Sequence, residues 1–232
     1  LGAEVLEIPT IRIAPPDDRQ GLVDALLELN SYDWLVFTSP NGVTSFFDAF
    51  FKSFHDMRDL GGCRIAAVGP ATASKLKELH LQVDLMPERY VSEEIAAAFE
   101  KEQSVENQKI LLLRAQKANQ DLPAALNEMG AIVDDVACYK TMPESDDRNG
   151  AAARFEAEGA DWITFTSAST VENFHARYPL PHICQQHPQI RFASIGPETT
   201  KALQSLNLKP HVEAKVHNIE GLVASLLSAN AG

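Results

Sequence analysis

The chain has 232 residues, 20 Lys+Arg against 32 Asp+Glu for a formal net charge of −12, and 45% hydrophobic residues. That is globular composition, enough for one large domain or two small ones, and it excludes the apolar-poor, charge-rich signature of disorder. An acidic surface repels phosphate backbones and anionic headgroups, so nucleic acid and membranes are disfavoured as partners and an anionic substrate needs a locally built site.

In chain order, Leu1 to Pro16 carries charges and lacks the apolar core of a signal peptide. The alternating Ile11 and Ile13 end at Pro15-Pro16-Asp17-Asp18, which reads as a linker. Leu35 to Phe37 predicts a strand, closed by Thr38-Ser39-Pro40 before a helical pattern. Ile65 to Val68 predicts a second strand, followed by the turn Gly69-Pro70-Ala71-Thr72 and a helix over Ala73 to Leu81. Lys109 to Arg114 is a third strand, with a helix through Leu126 and a further strand over Val133 to Cys138. Tyr139 falls between that strand and a second linker, Thr141 to Asp147. Short apolar runs alternating with amphipathic stretches imply βα units and a parallel sheet buried on both faces. The longest apolar runs, such as Ile110 to Leu113, fall far short of the roughly 18–20 residues that span a bilayer.

The remainder repeats the beginning. Asp33 to Phe50 over Asp161 to Tyr178 matches at seven of 18 positions, and Arg64 to Leu81 over Arg191 to Leu208 at eight of 18, with offsets of 128 and 127. Gly2-Ala3-x-Val5 pairs with Gly130-Ala131-x-Val133 at the first of these offsets. The second copy has a strand and helix before its Gly-Ala-x-Val, and the first begins directly there. A βα unit of roughly 20 residues is therefore expected to be missing from the front, if both copies share one layout. The repeat alone leaves open which halves pack together.

The duplicated segments carry the chemistry. Ser39 and Ser167 put hydroxyls at strand ends, where ligands bind in open α/β sheets and where serine also caps the following helix. Gly69 and Gly196 let a ligand approach the backbone, and Thr72 and Thr199 add a hydroxyl at each helix start. Arg114 and Lys117 follow a strand end and could meet an anion, although such residues are more often solvated loop charges. Tyr139 is amphipathic at a domain edge, by composition a packing residue with its hydroxyl hydrogen-bonded. The cysteines Cys63, Cys138 and Cys184 form no CxxC pair and read as buried thiols in a reducing compartment. GxGxxG, Walker, GxSxG and HExxH patterns are missing, and His182 with His187 is a poor metal pair.

The ordered string GAEVLEIP, DWLVFTSPNGV, RIAAVGPATASKL, ILLLRAQKANQDLPAALNEMGAIV, CYKT, DWITFTSAST and RFASIGPETTKAL resembles the uroporphyrinogen-III synthase family over essentially the whole chain. The resemblance implies an α/β fold of two flavodoxin-like parallel-sheet domains joined by a two-stranded linker, with the active-site cleft between them. It places residues 1–13 plus 144–232 in a discontinuous terminal domain that lacks its first strand and helix. Residues 18–139 form an inserted domain, with linkers at 14–17 and 140–143.

It further implies a carbon-oxygen hydro-lyase that turns the linear tetrapyrrole hydroxymethylbilane into uroporphyrinogen III. Water leaves the terminal hydroxymethyl carbon, the far pyrrole attacks the resulting azafulvene through its substituted carbon, and a spiro intermediate rearranges to invert that ring. Tyr139 matches the family tyrosine most often implicated, and it is expected to hydrogen-bond or protonate the leaving group. Thr72 and Thr199 match the family's paired cleft threonines and Ser39 and Ser167 its strand-end serines; these four are expected to hold substrate carboxylates or developing charge, with Gly69 and Gly196 as further substrate-binding positions. No cofactor or metal is implied. A cytoplasmic monomer is expected, receiving its substrate from hydroxymethylbilane synthase. The rival reading is a non-catalytic, two-lobed small-ligand binding module of the periplasmic-binding type.

Overall fold

The computed structural model describes residues 2–89, 94–102, 104–147 and 149–230. In chain order the elements are β1 (Ile11–Ala14), α1 (Gln20–Leu27), β2 (Trp34–Phe37), α2 (Pro40–Ser53), β3 (Arg64–Ala67), α3 (Pro70–Glu78), α4 (Glu94–Glu102), β4 (Lys109–Ala115), α5 (Asp121–Glu128) and β5 (Ile132–Pro143). They continue as α6 (Ala151–Glu158), β6 (Trp162–Phe165), α7 (Ala168–Arg177), α8 (Leu180–Gln186), β7 (Arg191–Ser194), α9 (Pro197–Ser205), β8 (Val212–Glu213) and α10 (Ile219–Asn230). Contacts divide the chain into two compact units, Leu1–Arg12 with Pro143–Gly232, and Ile13–Met142.

The continuous unit is built on a five-stranded sheet in the order β1-β5-β4-β2-β3. Strands β5, β4, β2 and β3 pair in parallel. The apolar runs of β4, β2 and β3 have the composition of strands covered on both faces, whereas β5 carries Asp134 and Asp135 where it pairs with β4. Leu35, Phe37, Ile65, Ala67, Leu111 and Leu113 face one core with Phe46, Phe47 and Phe50 of α2. Val36, Ala66, Ile110 and Leu112 face the other with Ile95, Phe99, Leu122 and Leu126. Leu35, Val36 and Phe37 are wholly buried.

The discontinuous unit carries a parallel sheet in the order β6-β7-β8. One face packs Ile163, Phe165 and Phe192 against Phe155, Val171 and Phe174. The other is thinner, with Ala193, Ala214 and Leu222 at its centre. Thr164 is exposed where its repeat counterpart Val36 is buried.

The repeat is visible in detail at the strand starts. Trp34 and Trp162 open β2 and β6, in register with Arg64 and Arg191. The guanidinium of Arg64 lies 4.3 Å over the Trp34 ring, and that of Arg191 lies 4.2 Å over Trp162. Each indole N–H donates to an amide oxygen, Trp34 to Gln108 at 2.8 Å and Trp162 to Asn230 at 3.2 Å. A buried or half-buried Trp needs such an acceptor, and the arginine above it adds a cation–π contact.

Three expectations need correction. The strand expected to stop at Cys138 runs to Pro143, so Tyr139 and residues 140–143 lie within β5, which has β1 beside it in the sheet. The helix expected over Ala73 to Leu81 is Pro70–Glu78, because proline fits its first turn and His80 turns left-handed (φ 60°) just beyond its end. Gly2 to Val5 does not repeat the start of β5: these residues form no strand and Val5 is exposed. They are held instead by side chains, with Arg154 pairing Glu4 and Asn149 donating to the Glu7 carbonyl at 3.0 Å. Among the described residues, no helix is long and apolar enough to cross a membrane.

Candidate active site

Parallel pairing aligns the carboxyl ends of β5, β4, β2 and β3 along one edge, with Tyr139 opposite Ala115 and Phe37 opposite both Leu113 and Ala67. Helices α2 and α3 start directly beyond this edge. Ser39 is the extended N-cap of α2, and its Oγ accepts from Gly42 N–H at 3.0 Å. The same Oγ lies 2.9 Å from the Tyr139 hydroxyl.

Tyr139 reaches that position through a β-bulge. Arg114 pairs with Ala137 and Ala115 with Tyr139, so Cys138 is an extra residue on β5. Ordinary alternation would send Cys138 and Tyr139 to opposite faces; here both join the same core as Val136. The backbone is fastened there, since Gln116 N–H donates to the Tyr139 carbonyl at 2.8 Å. The Gln116 side chain accepts from Asp17 N–H at 2.8 Å and donates to the Asp17 carboxylate at 2.6 Å, and Lys140 pairs with that carboxylate. The Gln116 hydrogen bond and then the Lys140 ammonium hold the Asp17 carboxyl below the usual range.

Arg114 is no solvated loop charge: it is 3% exposed. Its Nε donates to Asp135 at 2.7 Å, a second nitrogen pairs with the other Asp135 oxygen, and the third donates to the Asn119 carbonyl. The guanidinium therefore fastens the loop after β4 to β5, on the flank of Tyr139.

Two kinds of helix start stand at the strand ends. Ser39 and Ser167 cap α2 and α7; Ser167 forms a capping box with Thr170. The Ser167 hydroxyl also lies 3.0 Å from that of Ser169, so it is engaged within its own helix start. Gly69 and Gly196 precede α3 and α9 and supply no side-chain cap, leaving first-turn N–H groups for an anion. Thr72 and Thr199, in those first turns, are each 3% exposed. Among the described residues neither threonine hydroxyl makes a hydrogen bond. A buried hydroxyl without a partner is costly and calls for a ligand or water.

The repeat does not duplicate everything. With the offset of 128, the counterpart of Tyr139 is Ile11, an apolar residue. Ser39, Tyr139, Gly69 and Thr72 share the strand-end edge of one unit, and Ser167, Gly196 and Thr199 that of the other. Arg191 lies at the amino end of β7, stacked on Trp162 and away from these helix starts.

A polar chain in the second copy escaped the sequence reading. The hydroxyls of buried Ser194 and Thr200 are 2.7 Å apart, and Thr200 donates to Glu213. Because the Thr200 proton is committed to the carboxylate, Ser194 is the donor to Thr200. The repeat counterparts, Ala67, Ala73 and Met86, are all apolar, and that triple change was the available signal.

Residues 1–224 match the family described as "Uroporphyrinogen-III synthase HemD". The chain is 32% identical to the "Porphyrin biosynthesis protein HemD" of Ruminiclostridium josui, over 100% of its own length and 45% of that protein. It is 30% identical to the uroporphyrinogen-III synthase of Synechococcus elongatus, over 97% of its own length and 86% of that protein. The fold resembles the crystal structure of uroporphyrinogen-III synthetase from Helicobacter pylori, with TM-score 0.63, 20% identity and coverage of 95% and 91% of the two chains. A mutant uroporphyrinogen III synthase from Thermus thermophilus aligns with TM-score 0.59 and 18% identity over 96% and 88%. The chain spans somewhat less than half of the first relative and most of the second, and it belongs to the uroporphyrinogen-III synthase family.

Proposed function

We propose that this chain cyclises hydroxymethylbilane to uroporphyrinogen III with loss of water and inversion of the terminal ring. The observation that carries this reading is the Ser39–Tyr139 hydroxyl pair at the strand-end edge. Ser39 accepts from Gly42 N–H, so its own proton is available to Tyr139, whose proton is then directed outward. In this reading Tyr139 donates to the leaving hydroxyl as the carbon–oxygen bond breaks, the step that needs an acid. Thr72 and Thr199, with the uncapped N–H groups after Gly69 and Gly196, hold substrate carboxylates; Ser167 contributes through the α7 start it caps. Such local donors reconcile a net charge of −12 with a polyanionic substrate.

The finer expectations belong to the same proposal. They are two flavodoxin-like domains, at 1–13 plus 144–232 and 18–139, and hydro-lyase chemistry without a cofactor. They also include a cytoplasmic monomer and hand-over from hydroxymethylbilane synthase. Membership of the family weighs against the periplasmic-type binding module. The test is to supply freshly generated hydroxymethylbilane and separate the products. Isomer III above the spontaneous background supports the reading, and isomer I alone sinks it.

A further inference from the structure

The loop between β8 and α10 carries an imidazole that the proposed set leaves out. Its entrance is fixed because Ala214, buried, donates its N–H to the Ser194 carbonyl at 2.9 Å. Its exit is fixed by Asn218: its N–H donates to the Val216 carbonyl at 2.8 Å, its Oδ1 accepts from Gly221 N–H at 2.7 Å and its carbonyl from Leu222 N–H at 3.0 Å. Gly221 is required for this closure, since a Cβ there would lie 2.1 Å from the Val216 oxygen. His217 is thus carried on a short segment pinned at both ends.

The pinning sets the His217 ring against Gly196, the uncapped residue before α9. A Cβ at Gly196 would lie 3.1 Å from His217 Cγ and 3.2 Å from Cδ2. The ring is exposed, and among the described residues neither of its nitrogens makes a hydrogen bond. Of the acidic groups near this end in the chain, Glu213 accepts from Thr200 and Glu198 pairs with Lys201 at 2.6 Å, while Glu220 stands in the first turn of α10, beyond the loop. Beneath the ring lies the α9 start, with uncapped N–H groups and the unpartnered, buried Thr199 hydroxyl.

We infer that His217 is a substrate-binding residue, an N–H donor that completes with the α9 start a subsite for one carboxylate of the tetrapyrrole. The inference rests on the proposed function for the identity of the ligand. One imidazole nitrogen carries a proton in either tautomer, so the donor exists whether the ring is neutral or charged. Gly196 has a second role here, as the residue whose missing side chain lets the ring approach. Gly221 is a positioning residue, acting through the loop.

The test compares the full chain with His217→Ala, His217→Phe and Gly221→Ala. Phenylalanine keeps a ring against Gly196 and removes the nitrogens. Binding is read by fluorescence titration with uroporphyrin III, a non-reacting octacarboxylate, and turnover by the Michaelis constant for hydroxymethylbilane. Both His217 variants should weaken uroporphyrin binding and raise the Michaelis constant about tenfold, the scale of one charge-assisted hydrogen bond, with the melting temperature and kcat retained. Gly221→Ala should give the same direction by displacing the loop. Wild-type uroporphyrin affinity in His217→Phe overturns the inference, whatever the turnover. If the wild type forms only isomer I while binding still depends on His217, the cyclase reading fails and the carboxylate subsite stands.

Discussion

The Ser39 and Tyr139 hydroxyls lie 2.9 Å apart although 100 residues separate them in the chain. Two local devices make the meeting: the strand-to-helix turn that puts Ser39 at the N-cap of α2, and the bulge at Cys138 that turns Tyr139 onto the same face. The Tyr139 ring is buried in the core and its oxygen is the polar end. Tyr139→Phe therefore preserves packing and removes the proposed donor. The cyclisation rate should fall about 100-fold, the lower range for loss of a positioned acid, with the melting transition retained. An unchanged rate of isomer III formation in a folded variant would exclude Tyr139 as the donor.

Thr72 and Thr199 invert the usual relation between a site and its stability. Each hydroxyl is buried without a partner among the described residues, which costs about 1–3 kcal/mol relative to a satisfied group. Valine has nearly the same shape and no polar atom. Thr72→Val and Thr199→Val should raise the unfolding free energy measured in urea, by up to about 1 kcal/mol each, while lowering kcat/KM about tenfold. Loss of stability together with unchanged turnover would show that these hydroxyls serve the helices instead of a ligand.

Much of this was legible in the sequence, and the failures have identifiable causes. The repeat exposed the βα rhythm, the strand-end serines and the Gly-Pro turns, because each depends on local residue type and spacing. The sequence puts Tyr139 past its strand, whereas the strand runs on through it. A bulge adds one residue without any compositional mark, and the strand's extension depends on having β1 beside it. Arg114 was read as solvated because its partner Asp135 lies 21 residues away on the neighbouring strand, a pairing that only the sheet register creates. The Ser194–Thr200–Glu213 chain has no echo in the first copy, where the equivalent positions are Ala67, Ala73 and Met86, so the repeat carries no mark of it.

Arg114 should be among the most sensitive positions for stability. Arg114→Met strands the Asp135 carboxylate, whose side chain is 27% exposed, and takes the guanidinium donor from the Asn119 carbonyl. Breaking a buried pair from one side costs about 3 kcal/mol or more. Adding Asp135→Leu removes the stranded charge and should recover part of that loss, with a coupling outside the error of additivity. Urea unfolding of the two single variants and the double variant checks this. Additive effects would mean that the pair is not a unit.

Alkaline pH should destabilise the chain through buried Cys138 and half-buried Cys63. Burial pushes the Cys138 thiol up to about 12 and the Cys63 thiol up to about 11. An unfolded cysteine ionises near about 8.5. A raised folded value means that the stabilising contribution is complete below about pH 8.5 and is lost as pH climbs toward the folded value, because the unfolded chain releases its proton first. The slope for Cys138 alone is about 1.4 kcal/mol per pH unit in that window. Tyr32, raised by burial and then by its 2.6 Å hydrogen bond to Asp134, adds the same sign once unfolded tyrosine ionises, near pH 10. Cys138→Ala loses a buried sulfur and should be less stable at pH 7 by about 1 kcal/mol. Its stability should nevertheless fall less steeply between pH 8.5 and 10, so the two curves converge or cross. Urea midpoints at pH 7, 8.5 and 10 under reducing conditions measure the slopes, and parallel curves would show that Cys138 does not titrate across unfolding.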